Sequence, residues 1–326
     1  MSQLTYEERY QISQKRANGL TPTVIAREIG RAESTVRNEL KRNTVNGRYN
    51  TEEADQKAAT RKSKASSHPL KEMSIIIPLM KKLLCKKQFS PEQISGRLKL
   101  RNKLKVSHEW IYQYIWADKE RGGELFKHLR NKPRQYRKRG SKKVSRTNIP
   151  DRVGIENRPI EVGLKQRFGD FEGDTIIGRQ HGGAILSLVD RASKLTKLVL
   201  LPGARSEDAA KAMIKALDPI KEFVHTITTD NGSELKKHKD VSKALNVKFF
   251  FANPYHSWER GLNENTNGLV RQYFPKGSNF LKLTPFDVLR VEYKLNNRPR
   301  KTLGYRTPNE EFLRLTRLTQ ISAFRS

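Results

Sequence analysis

The sequence predicts a multidomain chain: an all-α amino-terminal region of helix-turn-helix type, followed by an α/β domain on a mixed five-stranded sheet. Three observations predict it. Basic residues concentrate ahead of residue 150, the first 126 residues carry helix caps and helical apolar spacing, and after Pro150 the texture changes to short apolar runs divided by turn residues. A chain of 326 residues is long enough for two or three units, each with its own core. The expected boundaries are 1–65 and 66–126 for two helical DNA-binding domains, 127–150 for a basic linker, and 151–326 for an α/β domain ending in a helix.

Lys and Arg number 65 against 34 Asp and Glu, a formal charge of +31, which points to a polyanionic partner. Residues 1–150 hold 35 basic and 14 acidic side chains (+21), leaving 30 and 20 (+10) for the rest, so the amino-terminal half is the expected main grip on nucleic acid. A membrane surface is disfavoured, because the sequence has no apolar run near 18 residues and no long basic amphipathic helix. The longest suggestive stretch, Ile75 to Leu84, is interrupted by Pro78 and two lysines. Cys85 stands alone, which excludes an intrachain disulfide and a cysteine-based zinc site and fits a reducing, cytoplasmic setting. The seven histidines show no metal-ligand spacing.

The opening segment reads as helices over 6–18, 22–29 and 33–42. Thr21-Pro22 is a start signal, with the hydroxyl as cap and Pro where its missing N–H costs nothing. Ala26, Gly30 and Val36 have the spacing of a helix-turn-helix: a small residue for close contact, a glycine for the turn, an apolar anchor on the second helix. Ser34, Arg37, Asn38 and Lys41 then face outward on a recognition helix, Arg and Asn suited to base edges and Lys to phosphate. Ala32 departs from the pattern, standing where a capping Ser or Thr is expected. A generic three-helix bundle with a solvated charged face accounts for the same spacing.

Residues 51–70 read as a continuing helix fading into a linker. Ser90-Pro91-Glu92-Gln93 forms a capping box ahead of Ile94 and Leu98, and Ser107 can cap a later helix whose apolar face is Ile111 and Ile115, with Trp110 and Tyr114. This resembles a second helix-turn-helix, although any helical bundle has that periodicity. Between Lys127 and Arg146 lie ten Lys or Arg and no acid. Arg137, Lys138 and Arg139 at its centre are expected to track phosphates, where a solvated linker is the plainer alternative.

After Pro150 the runs 168–177, 184–189 and 195–201 read as a three-strand meander. A helix (207–220), a strand (224–229) ending at Asp230-Asn231-Gly232, a helix (233–245), a strand (247–252), a helix (263–273) and one last long helix after Thr284-Pro285 follow. That order is the order of a ribonuclease H-like fold. Its chemistry needs carboxylates on the first strand, after the fourth, and on a later helix, where Asp174, Asp230 and Glu264 fall; 33 residues separate the last two. Hard oxygen ligands of this kind suit two Mg²⁺ ions about 4 Å apart that activate the attacking oxygen and stabilise the leaving oxygen of a phosphodiester; Mn²⁺ is expected to substitute. Asp174 would bridge both ions, with Asp230 and Glu264 each holding one. Asn267 and Arg271, at i+3 and i+7 from Glu264, share its face and can meet a phosphate.

Other acids compete. Asp170 and Glu172 share the period-two face of Asp174, Asp190 reads as a turn residue, and Glu259 lies too near the helix start. Asn231 and Gly232 are expected to shape the turn at Asp230, Gly through positive φ. His181 fits the Gly-rich hairpin turn more simply than a substrate contact. Tyr255 and Trp258 are suited to stack on a frayed base or to pack, and the cluster 298–301 to touch DNA or to lie on the surface.

The strings FEGDTI, TTDNGSE and SWERGLNENTNGLVRQYFPKG resemble the three catalytic blocks of the DDE transposases of the insertion-sequence-thirty family, in the integrase-like superfamily; the helix-turn-helix and the tail LNNRPRKTLGYRTPNE resemble it too. The resemblance covers nearly the whole chain. It implies a bacterial, nucleoid-associated protein that binds terminal inverted repeats of double-stranded DNA, cleaves element ends, joins them to target DNA, and works as at least a dimer. A non-catalytic DNA-binding regulator on a decayed scaffold and a simple nuclease are the competing expectations.

Overall fold

The structure, a computed structural model, describes residues 3–66, 70–129, 149–253 and 256–323. The chain divides into two compact units, Met1–Ile77 and Pro78–Ser326.

The first unit contains α1 (Tyr6–Ala17), α2 (Pro22–Glu28) and α3 (Glu33–Asn43), with Ile12, Ile25, Ala26 and Val36 at its core. Thr5 and Glu8 close a capping box on α1, and Gly30 makes the α2–α3 turn at φ +65°. Thr21 is extended ahead of Pro22 but makes no side-chain cap hydrogen bond, so Pro22 alone marks that start. A short hairpin, β1 (Thr44–Val45) and β2 (Arg48–Tyr49), turns on Asn46 (φ +50°) and Gly47 (φ +76°). That pair is the preferred two-residue hairpin turn. The expected continuing helix is present as α4 (Thr51–Ser66), and residues 67–69, where it was to fade into a linker, lie outside the described residues. Buried Arg9 ties this helix to the core, pairing with Glu39 (2.9 Å) and with Asp55 of α4 (2.8 Å).

The boundary between the units falls inside α5 (Leu70–Lys81), which carries Pro78 and continues into a π-helical turn, Lys82–Lys86. In the second unit α6 (Pro91–Asn102) has both bonds of the Ser90/Gln93 capping box, and Ser107 caps α7 (His108–Glu120). Next come α8 (Ile160–Leu164), β3 (Asp170–Ile177), β4 (Ala184–Asp190), β5 (Thr196–Leu201), α9 (Ser206–Leu217) and β6 (Thr226–Thr229). The chain continues through α10 (His238–Leu245), β7 (Lys248–Phe251), α11 (Gly261–Val270), α12 (Pro285–Asn296) and α13 (Pro308–Ala323). The sheet order is β5-β4-β3-β6-β7, antiparallel through the first three strands and parallel across β3-β6-β7. This is the expected ribonuclease H-like sheet.

Both sheet faces are covered, so β4 is apolar almost throughout. Leu186 and Leu188 join the core with α9, α10 and α13, while Ile185 joins Val270 of α11 and Val288 and Val291 of α12 on the other side. Two expected helices differ from the structure. The span 233–245 holds a 3₁₀ turn, Ser233–Leu235, before α10. The single last helix is two, α12 and α13, because Pro299 cannot continue a helix and Gly304 turns at φ +58°.

The tail between α12 and α13 docks on α6. Arg97 forms a two-pronged ion pair with Glu310 (2.7 and 2.8 Å), Arg101 joins it, and Lys301 pairs with Glu92. Gly96 lies flat against Tyr305: a Cβ there would stand 2.2 Å from the ring. Tyr305 is itself held at φ +64° and cannot retreat freely. Gly96→Ala should therefore destabilise the second unit by about 1–3 kcal/mol, the usual cost of overpacking. Urea denaturation of the full chain checks this; an unchanged midpoint would show that the docking surface yields.

Candidate functional site

β3 presents Asp170, Glu172 and Asp174 on one face, and their partners separate them. Asp170 is buried and takes Arg167 (2.8 Å) and the Thr226 hydroxyl (2.8 Å). Glu172 is buried, pairs with Arg191, and accepts the Asn263 backbone N–H (3.0 Å) in the first turn of α11. Asp174, opposite Ser187 in the β3–β4 register, opens toward Asp230. Asp230 lies one residue past β6 and accepts the Gly232 N–H (3.1 Å). Asn231 fixes that turn to the end of β7 by donating to Ala252 O (2.8 Å), and Arg152 donates to Asn231 (2.7 Å). Gly232 has φ −65°, not the positive value expected, and a Cβ there would meet only the movable end of the Glu234 side chain, at 2.6 Å.

Arg260, at the entry to α11, joins the two aspartates: its guanidinium is 3.2 Å from Asp230 Oδ2 and 3.8 Å from Asp174 Oδ2. From two turns further along α11, Asn267 donates to Asp174 Oδ2 (2.8 Å), with its own oxygen held by Ser187 (2.8 Å). Arg271 reaches Ile177 O (2.8 Å) and lies over the Phe280 ring. Two of the three residues in the expected row therefore contact β3. Glu264 is exposed, and among the described residues no three His, Cys, Asp or Glu side chains converge closely enough to hold a metal ion.

Burial pushes the Asp174 carboxyl up to about 6, assisted by the Asp230 charge and opposed by Arg260. Glu234 adds to the push and takes the Thr175 hydroxyl at 2.6 Å, so a third carboxylate borders the pair. The spacing argument missed Arg260, Glu234 and the Glu172–Arg191 pair. Arg260 had a signal, standing four residues before Glu264; the others join positions far apart in sequence.

The competing acids are engaged elsewhere. Asp190 caps its own turn through Ser193 and Gly169, and Glu259 binds the Asn253 backbone (2.8 Å) and His256. Arg298, expected on a DNA-facing or surface cluster, is only 1% exposed and bonds Tyr273 and Gln272. On α3, Ser34, Arg37, Asn38 and Lys41 are all exposed, with Arg37 paired to Glu33. Arg137, Lys138, Arg139 and Tyr255 lie outside the described residues, as do the side chains of His181 and Trp258.

The first unit is thus a helix-turn-helix unit, and the second carries an α/β domain on a mixed five-stranded sheet. The helix-turn-helix domain family matches residues 1–43. The transposase for insertion sequence element IS4351 of Bacteroides fragilis is 49% identical over 95% of this chain and 95% of its own length. Transposase InsI for IS30A of Escherichia coli K12 is 34% identical, covering 98% and 85% respectively. The chain belongs to the IS30 family of transposases. Among solved structures, the catalytic core domain of BIV integrase matches 46% of this chain and 97% of its own, at 17% identity and a TM-score of 0.39.

Proposed function

We propose that this transposase binds the terminal inverted repeats of its element, frees a 3′-hydroxyl at each end, and joins those hydroxyls to target DNA, with Asp174, Asp230 and Glu264 as its catalytic carboxylates. The observation that carries the reading is the convergence of Asp174 and Asp230 on one cation, Arg260, beside α11. Two hard-oxygen donors already drawn to a positive charge fit Mg²⁺, or Mn²⁺ in its place. Glu264 supplies a further exposed carboxylate one turn before Asn267. Bound ions would supply charge stabilisation for the attacking and leaving oxygens. The protein's own part is positional: Asn267 fixes the Asp174 carboxylate, Asn231 fixes the Asp230 turn, and Arg271 extends the row along α11. We assign end recognition to Ser34, Arg37, Asn38 and Lys41 and phosphate tracking to the segment around Arg137, Lys138 and Arg139, on at least a dimer at the nucleoid.

The deciding experiment mixes the full chain and Mg²⁺ with linear DNA carrying the sequences that flank its reading frame, plus a supercoiled target plasmid. End nicks and joined products are expected. Nicks without joining would mean a simple nuclease, and binding without nicks in either Mg²⁺ or Mn²⁺ would mean a regulator.

A further inference from the structure

Arg260 is held unusually closely for a residue at the mouth of a DNA-cutting site. Its side chain is 14% exposed, and both terminal nitrogens are engaged, with Asp230 Oδ2 and with Gly173 O (3.4 Å) beside Asp174 Oδ2. Its Nε is buried and has no hydrogen-bond partner among the described residues. The same holds for the Nε of buried Arg298 and Arg300, so what sets Arg260 apart is its place between the two aspartates, with Glu234 on the neighbouring Thr175.

A hard divalent cation would need direct contacts to the same two carboxylates that draw the guanidinium. Two positive charges drawn to one pair of carboxylates repel each other and compete for the place. We propose that Arg260 is a positioning residue that stands in for the divalent cation: it holds Asp174 and Asp230 together in the metal-free protein and is displaced when metal binds. This rests on the metal-dependent reading above. Without Arg260, two carboxylates and Glu234 would repel one another across the site; with it, the site is assembled in advance but closed to metal. Arg260 lies at the junction of a 3₁₀ turn, Ser257–Arg260, with α11, where its backbone is not inside a regular helix.

The test titrates Mn²⁺ into the full chain by calorimetry, counting only the sites absent from Asp174→Asn, and follows thermal melting in EDTA. Arg260→Ala should bind Mn²⁺ about tenfold more tightly than the parent, equivalent to about 1.4 kcal/mol, yet melt at a lower temperature in EDTA. Arg260→Gln should do the same and covers the case in which the alanine variant does not fold. Arg260→Lys, a point cation, should stay near the parent in both. A merely structural arginine would lower melting and metal affinity together. Unchanged or weaker Mn²⁺ binding in the neutral variants overturns the stand-in while leaving the metal reading intact. Silence in the parent with binding in the neutral variants supports it, and silence in every variant sinks both.

Discussion

Asp174→Asn should leave the full chain folded and bound to its end DNA while lowering Mg²⁺-dependent strand cleavage on the order of 10³-fold or more, because several kcal/mol of charge stabilisation are removed and each 1.36 kcal/mol is tenfold. The substitution preserves shape and alters one atom of the site. Asp174 Oδ1 accepts the Thr175 N–H (2.8 Å) and Oδ2 accepts the Asn267 amide (2.8 Å) beside Arg260. An asparagine can keep only one of these acceptors, and carries no charge to hold a metal. A second readout follows from the carboxyl being raised to about 6. Folding favours its protonated form, so that contribution is full below the unfolded value near pH 4 and is lost as pH rises through about 6. Asparagine has no proton to lose. In EDTA the variant should therefore melt higher than the parent at pH 8, and the gain should shrink toward pH 4. End nicking at the parent rate would remove Asp174 from the reaction, and a lower melting point at pH 8 would mean that the pairing with Arg260 outweighs the burial of the charge.

What could be read ahead of the structure follows the range of the interactions. The caps at Ser90, Ser107 and Thr284 are made within three residues, and all three form as their sequence signals indicate. The Asn46-Gly47 turn is equally local, but its flanking strands have two residues each, too few to show a strand period. Strand periodicity brought Asp170, Glu172 and Asp174 to one face but could not rank them, since rank depends on partners at Arg167, Arg191 and Asn267. The tail misled for the same reason. Its arginines read as a basic surface, yet Arg298 is enclosed by Tyr273 and Gln272, 25 and 26 residues earlier, and Glu310 meets Arg97, 213 residues earlier. The Glu310 carboxyl is lowered to about 2, first by the Arg97 hydrogen bonds, as a docked residue's would be. The approach of Asp174 and Asp230 to one another follows from their places, one within β3 and one just past β6. The cation between them had a signal only from the helix side, four residues before Glu264, since nothing in a strand's period announces a guanidinium arriving from a helix entry.

Arg191→Ala should cost about 3–5 kcal/mol of folding stability, the price of leaving one partner of a buried ion pair uncompensated. The Arg191 and Glu172 side chains are 6% and 2% exposed, so water cannot replace the lost partner. Arg191 also donates to Val162 O (3.1 Å), tying α8 to the sheet, while the second Glu172 oxygen accepts the Asn263 N–H. That N–H is one of the unpaired donors of the first turn of α11, so a strand carboxylate caps the helix that carries Glu264 and Asn267. Loss of Arg191 should thus act twice: on the unfolding midpoint in urea, and on cleavage, since misplacing reacting groups by about 1 Å can cost 10²-fold. Replacing the pair together, Glu172→Gln with Arg191→Met, should recover much of the stability, because the penalty belongs to the stranded charge and not to the missing contact. It should not recover cleavage to the same degree, as a neutral amide caps α11 less firmly than a carboxylate. If Arg191→Ala unfolds within about 1 kcal/mol of the parent, the pair is not what fixes α11 against β3, and the geometry at Asp174 must be held from the Asn267 and Ser187 side alone.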